Sequence, residues 1–163
     1  MLLIQELTPI HAADVLRIYA EGQATGVATL ETIVPTWADW AESHLPNSRL
    51  VATENGRVAG WIALSSVSGR CVFGGVAELS VYVAEAYRGR GVGLLLLVEV
   101  IKTSEEAGIW TLQSSIDALN EVSLRLHEKA GFRLVGVRER LGQRLGEWRD
   151  IVLLERRSER VGV

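Results

Sequence analysis

The chain has 163 residues and a mass of 17.9 kDa, which is the size of one ordinary domain. Hydrophobic residues make up 48% and charged residues 23% of the sequence, a balance that excludes an intrinsically disordered chain. The formal net charge of −3 provides no basic field, so nucleic acid is not an expected partner.

Cysteine and histidine usage argues against disulfide and metal chemistry. The single cysteine, Cys71, cannot form a disulfide or a multi-cysteine metal site within the chain. The three histidines lack the spacing of a zinc-binding motif, so no metal is expected. No secretory signal is recognised, and the longest apolar run, Val92–Val98, is far shorter than the ~20 residues of a membrane span. A soluble cytoplasmic protein without a membrane partner is therefore predicted.

The first half of the chain predicts a strand, two helices and a hairpin. Thr8 and Pro9 are expected to start the first helix, and Gly22 is expected to end it. Thr36 should cap a short second helix. The dipeptide Asn55-Gly56 predicts a hairpin turn, because both central residues of that turn need a positive φ. The strands expected here are Leu2–Leu7, Arg49–Glu54 and Arg57–Ser65.

The second half continues the order β-α-α-β-β-β-α-β-α-β-β. Its mixture of hairpins and crossovers predicts one mixed sheet covered by helices, an α/β (α+β) single domain over residues 1–163. The expected elements are strand Val76–Ala84, helix Gly91–Ala107, strand Ile109–Ile116, helix Asn120–Ala130, strand Phe132–Arg140, turn Gly142–Gly146 and strand Glu147–Glu155.

A glycine-rich segment joins the fourth predicted strand to the third helix. Unpaired N–H groups at a helix N-terminus attract anions, and glycines allow a ligand to approach the backbone closely. The segment lacks the Lys and Ser/Thr of a Walker loop and the placement of a dinucleotide fingerprint. It predicts a pyrophosphate site, with a plain glycine-rich turn as the alternative. The candidate ligand-binding residues are Arg88, Gly89, Arg90, Gly91, Val92, Gly93 and Leu94.

This loop resembles the acetyl-CoA loop of the GCN5-related N-acetyltransferases (GNAT), which has the form [R/Q]-x-x-G-x-[G/A]. Asn120–Phe132 is similar to the family's second signature, N-x-x-[SA]-x-x-L-[YH]-E-x-x-G-F. Glu78–Val83 and Gly146–Asp150 resemble one branch, the phosphinothricin and methionine sulfoximine acetyltransferases and related L-amino-acid N-acyltransferases. The resemblance implies a GNAT fold, with a largely antiparallel sheet of about seven strands flanked by about four helices.

The resemblance also implies how acetyl-CoA is bound as co-substrate. The backbone groups of Val81 and Val83 would pair with the pantetheine arm like an added strand. Asn120, together with Ser123 in the same signature, would contact pantetheine, although Asn120 also suits a helix cap.

Two residues are candidates for the proton transfers of a direct acetyl transfer. The attacking amine must lose a proton and the CoA thiolate must gain one. By the resemblance, Glu78 would accept the ammonium proton directly or through water, although a strand Glu on a solvated face is the alternative. His127 lies near the thioester position of the family and would be an acid for the thiolate, a second base or a packing histidine.

The acceptor site is expected to depart from the pattern of the branch. Arg70 would hold a substrate carboxylate, and Phe73 would form an aromatic wall without the usual tyrosine hydroxyl. Leu30 and Glu31 lie where the branch has Phe-Glu in its first loop, and Trp148 would wall the pocket or pack beneath the sheet.

The resulting prediction is an acetyl-CoA-dependent enzyme that acetylates the α-amine of a small amino acid or analogue. A protein or peptide N-terminal acetylase is the alternative within the enzyme class. An acyl-CoA-binding sensor or weakly catalytic module is the alternative outside it. The family resemblance also implies a homodimer.

Overall fold

The computed structural model describes residues 1–163 as one seven-stranded sheet with four α-helices. The strand order is β1-β2-β3-β4-β5-β7-β6, and every neighbouring pair is antiparallel except β4 and β5. This confirms the predicted mixed, largely antiparallel sheet. The strands are β1 (Leu2–Glu6), β2 (Leu50–Glu54), β3 (Arg57–Ser66), β4 (Val76–Val83), β5 (Thr111–Asp117), β6 (Arg133–Arg144) and β7 (Glu147–Arg157), and the helices are α1 (Ala12–Ala24), α2 (Trp37–Ser43), α3 (Val92–Glu106) and α4 (Glu121–Lys129).

Each face of the sheet is covered by its own pair of helices. Successive residues of a strand point to opposite faces, so Trp61 packs with α1 and α2 while Ile62 packs with α3. The Trp61 indole N–H donates to the carbonyl of Val15 at 3.1 Å, which ties α1 to the sheet. None of the four helices combines the length and the apolar character needed to cross a membrane.

Two predictions at turns and caps are confirmed. Asn55 and Gly56 have φ values of 51° and 77° in the β2–β3 turn. The Thr36 hydroxyl accepts a hydrogen bond from the Asp39 N–H at 3.2 Å, so Thr36 caps α2.

The prediction that Gly22 ends the first helix is wrong. α1 continues through Gly22 to Ala24. Gly22 is buried within the helix, and a β-carbon at this position would lie only 2.7 Å from the Tyr82 ring. The residue serves close packing rather than helix termination. The helix also begins later than expected, at Ala12, after a 3-10 turn over Pro9–His11.

The last hairpin is longer than predicted. β6 extends to Arg144 and β7 to Arg157, so only Leu145 and Gly146 form the turn, with φ values of 49° and 84°. The glycine at position 142, expected in the turn, is instead a strand residue paired with Arg149.

Parallel pairing between β4 and β5 is short. It covers only the three residue pairs from Val76–Thr111 to Glu78–Gln113. β4 then stays with β3 as far as Val83, whereas β5 stays with β7 as far as Asp117. The sheet therefore opens in its middle beyond Glu78.

Candidate active site

A continuous cleft begins where the sheet opens. Its first cavity, of about 80 Å³, lies between β4 and β5 and is bounded by one face of α4 and its cap, with Asn120, Ser123 and His127. A second cavity of about 270 Å³ shares Tyr82 and Asn120 with the first, and a third of about 600 Å³ shares Val83 and Arg88 with the second. The cleft thus connects the centre of the sheet with the glycine-rich loop before α3.

The β4 backbone presents unpaired groups to this cleft. The Ala84 N–H donates to the Ala59 carbonyl of β3 at 2.8 Å. Because backbone groups alternate sides along a strand, those of Val81 and Val83 point away from β3, where β5 no longer pairs. Both residues line the cleft. The predicted cofactor-binding residues of β4 therefore have free hydrogen-bonding groups in an available space.

The loop before α3 has the properties of an anion site. The first helical bond of α3 is from the Leu95 N–H to the Gly91 carbonyl, and no N–H in residues 89–94 makes a backbone hydrogen bond. Gly89 and Gly91 have φ values of 74° and 82°, and a β-carbon on either would meet no atom within 4 Å. These N–H groups at a helix N-terminus suit a phosphate.

The two arginines of the loop have different surroundings. Arg88 lines the second and third cavities and donates to the Glu21 carbonyl at 3.3 Å. Arg90 lines neither cavity, because its guanidinium pairs with Glu54 at 2.9 Å and stacks over Tyr87. Only Arg88 brings its side chain to the cleft.

α4 forms the opposite wall. The Asn120 amide oxygen accepts from the Ser123 N–H at 3.2 Å, so Asn120 caps the helix, and both residues line the first two cavities. A β-carbon at Gly93 would lie 2.8 Å from Leu126, which shows how closely α3 and α4 approach. The third cavity is lined by the cations Arg88, Arg125 and Lys129 and by no acidic residue.

His127 is 1% exposed and lines the first cavity. Its Nδ1 lies 2.7 Å from the Ser123 carbonyl, which can only accept, so Nδ1 carries the proton. Burial lowers the pKa of His127 below its usual 6.5, although the bond to Ser123 opposes this change. The ring is therefore neutral near pH 7, and its buried Nε2, which has no protein partner, holds the lone pair.

Glu78 lies at the point where β4 and β5 separate, and its side chain is half-buried. One carboxylate oxygen, Oε1, accepts from the Ser115 hydroxyl at 2.9 Å and the Gln113 amide at 3.1 Å. The following residues, Leu79–Tyr82, line the first cavity, as does Ser115. The second oxygen of Glu78 makes no hydrogen bond to the protein.

The residues predicted for the acceptor site are dispersed around the cleft. Leu30 packs against Gly142 of β6, and Glu31 is exposed in the loop after α1. Arg70 stacks over Phe73, with its guanidinium carbon 5.7 Å from the ring centroid, in an exposed segment before β4. Trp148 is 58% exposed near the β6–β7 turn. None of the five residues lines the three cavities of the cleft.

Some residues at or near the cleft are not predicted from the sequence motifs. Arg125 and Lys129 are spaced by four on α4, a spacing that places both on one helix face and was available from the sequence. Tyr82 lines the cleft, although the sequence indicates it only as part of a strand. Asp117 and Arg149 form a buried ion pair at 2.7 Å, which no local pattern indicates because the two residues are far apart in the chain.

Comparison with known proteins agrees with this geometry. Residues 13–132 match the acetyltransferase (GNAT) family. The chain belongs to this family. Family membership makes the chain an N-acetyltransferase with acetyl-CoA as donor, and the predicted fold is confirmed.

Three individual proteins illustrate the similarity. YwnH of Bacillus subtilis, provisionally assigned as a phosphinothricin acetyltransferase, is 35% identical over 147 residues, covering 87% of this chain and 90% of its own. The phosphinothricin acetyltransferase of Sinorhizobium meliloti, solved with acetyl-CoA, has a TM-score of 0.89 and 25% identity, covering 99% and 90% of the two chains. The ribosomal-protein-alanine N-acetyltransferase of Brucella melitensis has a TM-score of 0.90 and 29% identity, covering 96% and 99%.

A substitution in the loop tests the anion site. We expect Gly91→Asp to weaken acetyl-CoA binding by at least about tenfold, because it places a negative charge among N–H groups that face a pyrophosphate. Gly108→Asp is the matched control, since Gly108 has φ 84° and equally open space beyond the other end of α3. Calorimetric titration measures both. Equal affinity of the two variants for acetyl-CoA would contradict the assignment.

The lowered pKa of His127 predicts a pH dependence of stability. Below about pH 6.5 the unfolded chain binds a proton at this position more readily than the folded chain does, so the free energy of unfolding falls as the pH drops. His127→Gln should lose less stability between about pH 7.5 and 5.5 than the wild type, measured by denaturant unfolding. A wild-type slope in His127→Gln would disprove the interpretation.

Proposed function

We propose that the protein transfers the acetyl group of acetyl-CoA directly to the α-amine of a small amino acid or analogue, of the kind represented by phosphinothricin and methionine sulfoximine. The observation that carries the proposal is the single cleft, which joins an anion-binding loop to an opening in the sheet beside Glu78 and His127. The similarity to phosphinothricin acetyltransferases supports this class of acceptor.

The residues of the chain fit acetyl-CoA along the length of the cleft. The N–H groups of residues 89–94, together with Arg88, would hold the pyrophosphate, and the free backbone groups of Val81 and Val83 would pair with the pantetheine amides. Arg125 and Lys129 add positive charge for a phosphate in the third cavity. When bound, acetyl-CoA supplies a thioester whose carbonyl carbon is open to attack by an amine.

Glu78 would accept the proton of the acceptor ammonium. The two hydrogen bonds to Oε1 hold the carboxylate in place and leave Oε2 available for a substrate proton or a bridging water. Because the amine must lose its proton before it attacks, a carboxylate held beside Leu79 and Ser115, which line the first cavity, is suited to the role of general base.

The protonation state of His127 favours one of its possible roles. A neutral ring whose Nδ1 proton is committed to Ser123 has no proton at Nε2 to give to a thiolate. Its lone pair instead accepts a hydrogen bond or a proton in the first cavity. We therefore assign His127 as an acceptor, a second base or an orienting group, rather than as the acid. The acceptor nitrogen loses a second proton as the amide forms, and this proton would pass to the departing CoA thiolate directly or through water.

The acceptor carboxylate is proposed to bind Arg70. This guanidinium carries no carboxylate partner in the chain and stacks only on Phe73, so it is available for a charged ligand. Leu30, Glu31 and Trp148 are proposed to surround the acceptor.

Acetylation of a protein N-terminus is the second candidate. It is favoured by the similarity to a ribosomal-protein-alanine N-acetyltransferase and by the open surroundings of Phe73 and Trp148, which leave space for a chain. A panel of free amino acids, phosphinothricin, methionine sulfoximine and alanine-starting peptides, assayed by release of CoA thiol, distinguishes the two. Turnover restricted to peptides would replace the first proposal, and tight acetyl-CoA binding without turnover on any amine would indicate a sensor.

Substitution of the proposed base provides a quantitative prediction. Glu78→Gln keeps the shape of the side chain but removes its basicity, so kcat/KM for the best acceptor should fall by about 10²–10⁴-fold while acetyl-CoA still binds. Glu139→Gln, at an exposed position of β6, should retain full activity. Steady-state kinetics with calorimetry measure both effects. Nearly full kcat/KM in Glu78→Gln would exclude Glu78 as the base.

The homodimer stays a prediction from the family resemblance. We expect sedimentation equilibrium at micromolar concentration to give about twice the chain mass of 17.9 kDa. A mass equal to that of one chain across the concentration range would contradict it.

A further inference from the structure

We propose that Arg149 and Asp117 are positioning residues that fix the acceptor side of the cleft against α4, and that they govern the affinity for the acceptor rather than for acetyl-CoA. The inference rests on the proposed function, because it assigns the loop after α1, residues 25–31, to the acceptor. Arg149 is the fourth of the five residues of the Gly146–Asp150 segment.

The pair is buried and highly connected. Arg149 Nη1 lies 2.7 Å from Asp117 Oδ2, and the two side chains are only 11% and 3% exposed. The same Nη1 also donates to the Gly26 carbonyl at 3.2 Å. One guanidinium nitrogen therefore connects the end of β5, the start of β7 and the loop after α1.

Asp117 connects this pair to the thioester side of the cleft. Its Oδ1 accepts from the Leu119 N–H at 2.9 Å, and its carbonyl accepts from the Asn120 N–H at 2.8 Å. These bonds shape the turn that starts α4, which carries Ser123 and His127 into the first cavity. The carboxylate thus fixes the start of α4 and holds Arg149 at the same time.

The loop and the end of α1 before it are held by three further contacts. Arg144 of β6 donates to the Gln23 carbonyl at 3.1 Å, and Leu30 packs on Gly142 of the same strand. The Tyr82 hydroxyl lies 3.5 Å from the Ala28 carbonyl, at the limit of a hydrogen bond. Ala28 lines the first and second cavities, so a displacement of this loop changes the shape of the cleft.

Stability alone does not account for such a pair. Desolvation of a buried ion pair offsets much of its attraction, and well-packed apolar replacements are often neutral or stabilising. The pair does, however, fix the separation between Gly26 and the start of α4. Thr25, Val27 and Ala28 line the second cavity, but the third cavity, with the anion-binding loop, includes no residue of the segment 25–31. The pyrophosphate contacts and the β4 backbone groups that would hold acetyl-CoA therefore do not depend on the pair. Loss of the pair should therefore disturb acceptor binding more than acetyl-CoA binding.

The test compares Arg149→Met, Asp117→Asn and the double variant Asp117→Asn/Arg149→Met in the full-length enzyme. Arg133→Met is the matched control, since Arg133 also pairs with an acidic residue across β6 and β7, at 2.7 Å, but is 67% exposed and outside the cleft. The measurements are acceptor KM and kcat, the acetyl-CoA Kd by calorimetry, and Tm.

We expect Arg149→Met to raise acceptor KM by about 10- to 100-fold, because small misplacements of a binding group have effects of this size. The acetyl-CoA Kd should change by less than about threefold, a difference under 1 kcal/mol. The double variant removes both buried charges, so its Tm should recover towards wild type while acceptor KM stays raised. Arg149→Lys keeps the positive charge but not the guanidinium that contacts both Asp117 and Gly26. Its acceptor KM should therefore lie between those of wild type and Arg149→Met. Arg133→Met should match wild type throughout.

Two results would overturn the inference. If acceptor KM recovers together with Tm in the double variant, the pair has only a structural role. If acetyl-CoA Kd rises as much as acceptor KM, the pair does not act on the acceptor side. When the wild type acetylates peptides rather than amino acids, the same variants are measured with the peptide.

If the wild type acetylates no acceptor, the proposed function is refuted, but the positioning role of the pair can still be tested. Amide hydrogen exchange of residues 25–31 should then be faster in the double variant than in wild type, at unchanged acetyl-CoA Kd. Unchanged exchange would refute the positioning role as well.

Discussion

The parting of β4 from β5 is the constraint on which the rest of this structure depends. A parallel pair that ends after three residues leaves backbone N–H and C=O groups without partners in the middle of a sheet. Such groups carry a large free-energy penalty when they are buried away from water and from any other partner. The fold avoids this penalty by keeping the opening as an accessible cleft, so the same groups remain available to a ligand.

Each neighbouring element preserves that opening in a different way. β5 remains bonded to β7 over seven residue pairs and does not collapse onto β4. α4 begins shortly after β5 and places His127 across the gap. α3 follows β4 through a 3-10 turn and the glycine-rich loop, and its first N–H groups are free. The anion site and the candidate proton acceptors thus lie along one cleft because the two strands that diverge each lead into a helix.

Sequence patterns predict the elements whose signals are local. The turn at Asn55-Gly56, the cap at Thr36 and the glycine-rich start of α3 depend on backbone geometry that only a few residue types favour. The sheet class and the family also follow from such motifs.

Features that depend on contacts between residues far apart in the chain cannot be predicted from local patterns. Gly22 is a residue type that often ends a helix, but here it allows Tyr82, which lies on β4, to pack closely against α1. Arg90 matches the loop motif but is paired with Glu54 of the β2–β3 hairpin. The burial of Arg149 depends on Asp117, 32 residues away in the chain. In each case tertiary packing determines the partner, and no periodicity or residue spacing in a single sequence indicates such a contact.

The contact between Gly93 and Leu126 has a consequence for how this protein can change over time. The space for a β-carbon at position 93 is occupied by a Leu126 methyl group, and the next residue of α4 is His127. A larger residue at position 93 would require the Leu126 side chain to move, and Leu126 lines both the second and the third cavity. A substitution beside the phosphate loop would therefore also reshape the middle of the cleft, where the arm of the donor would lie.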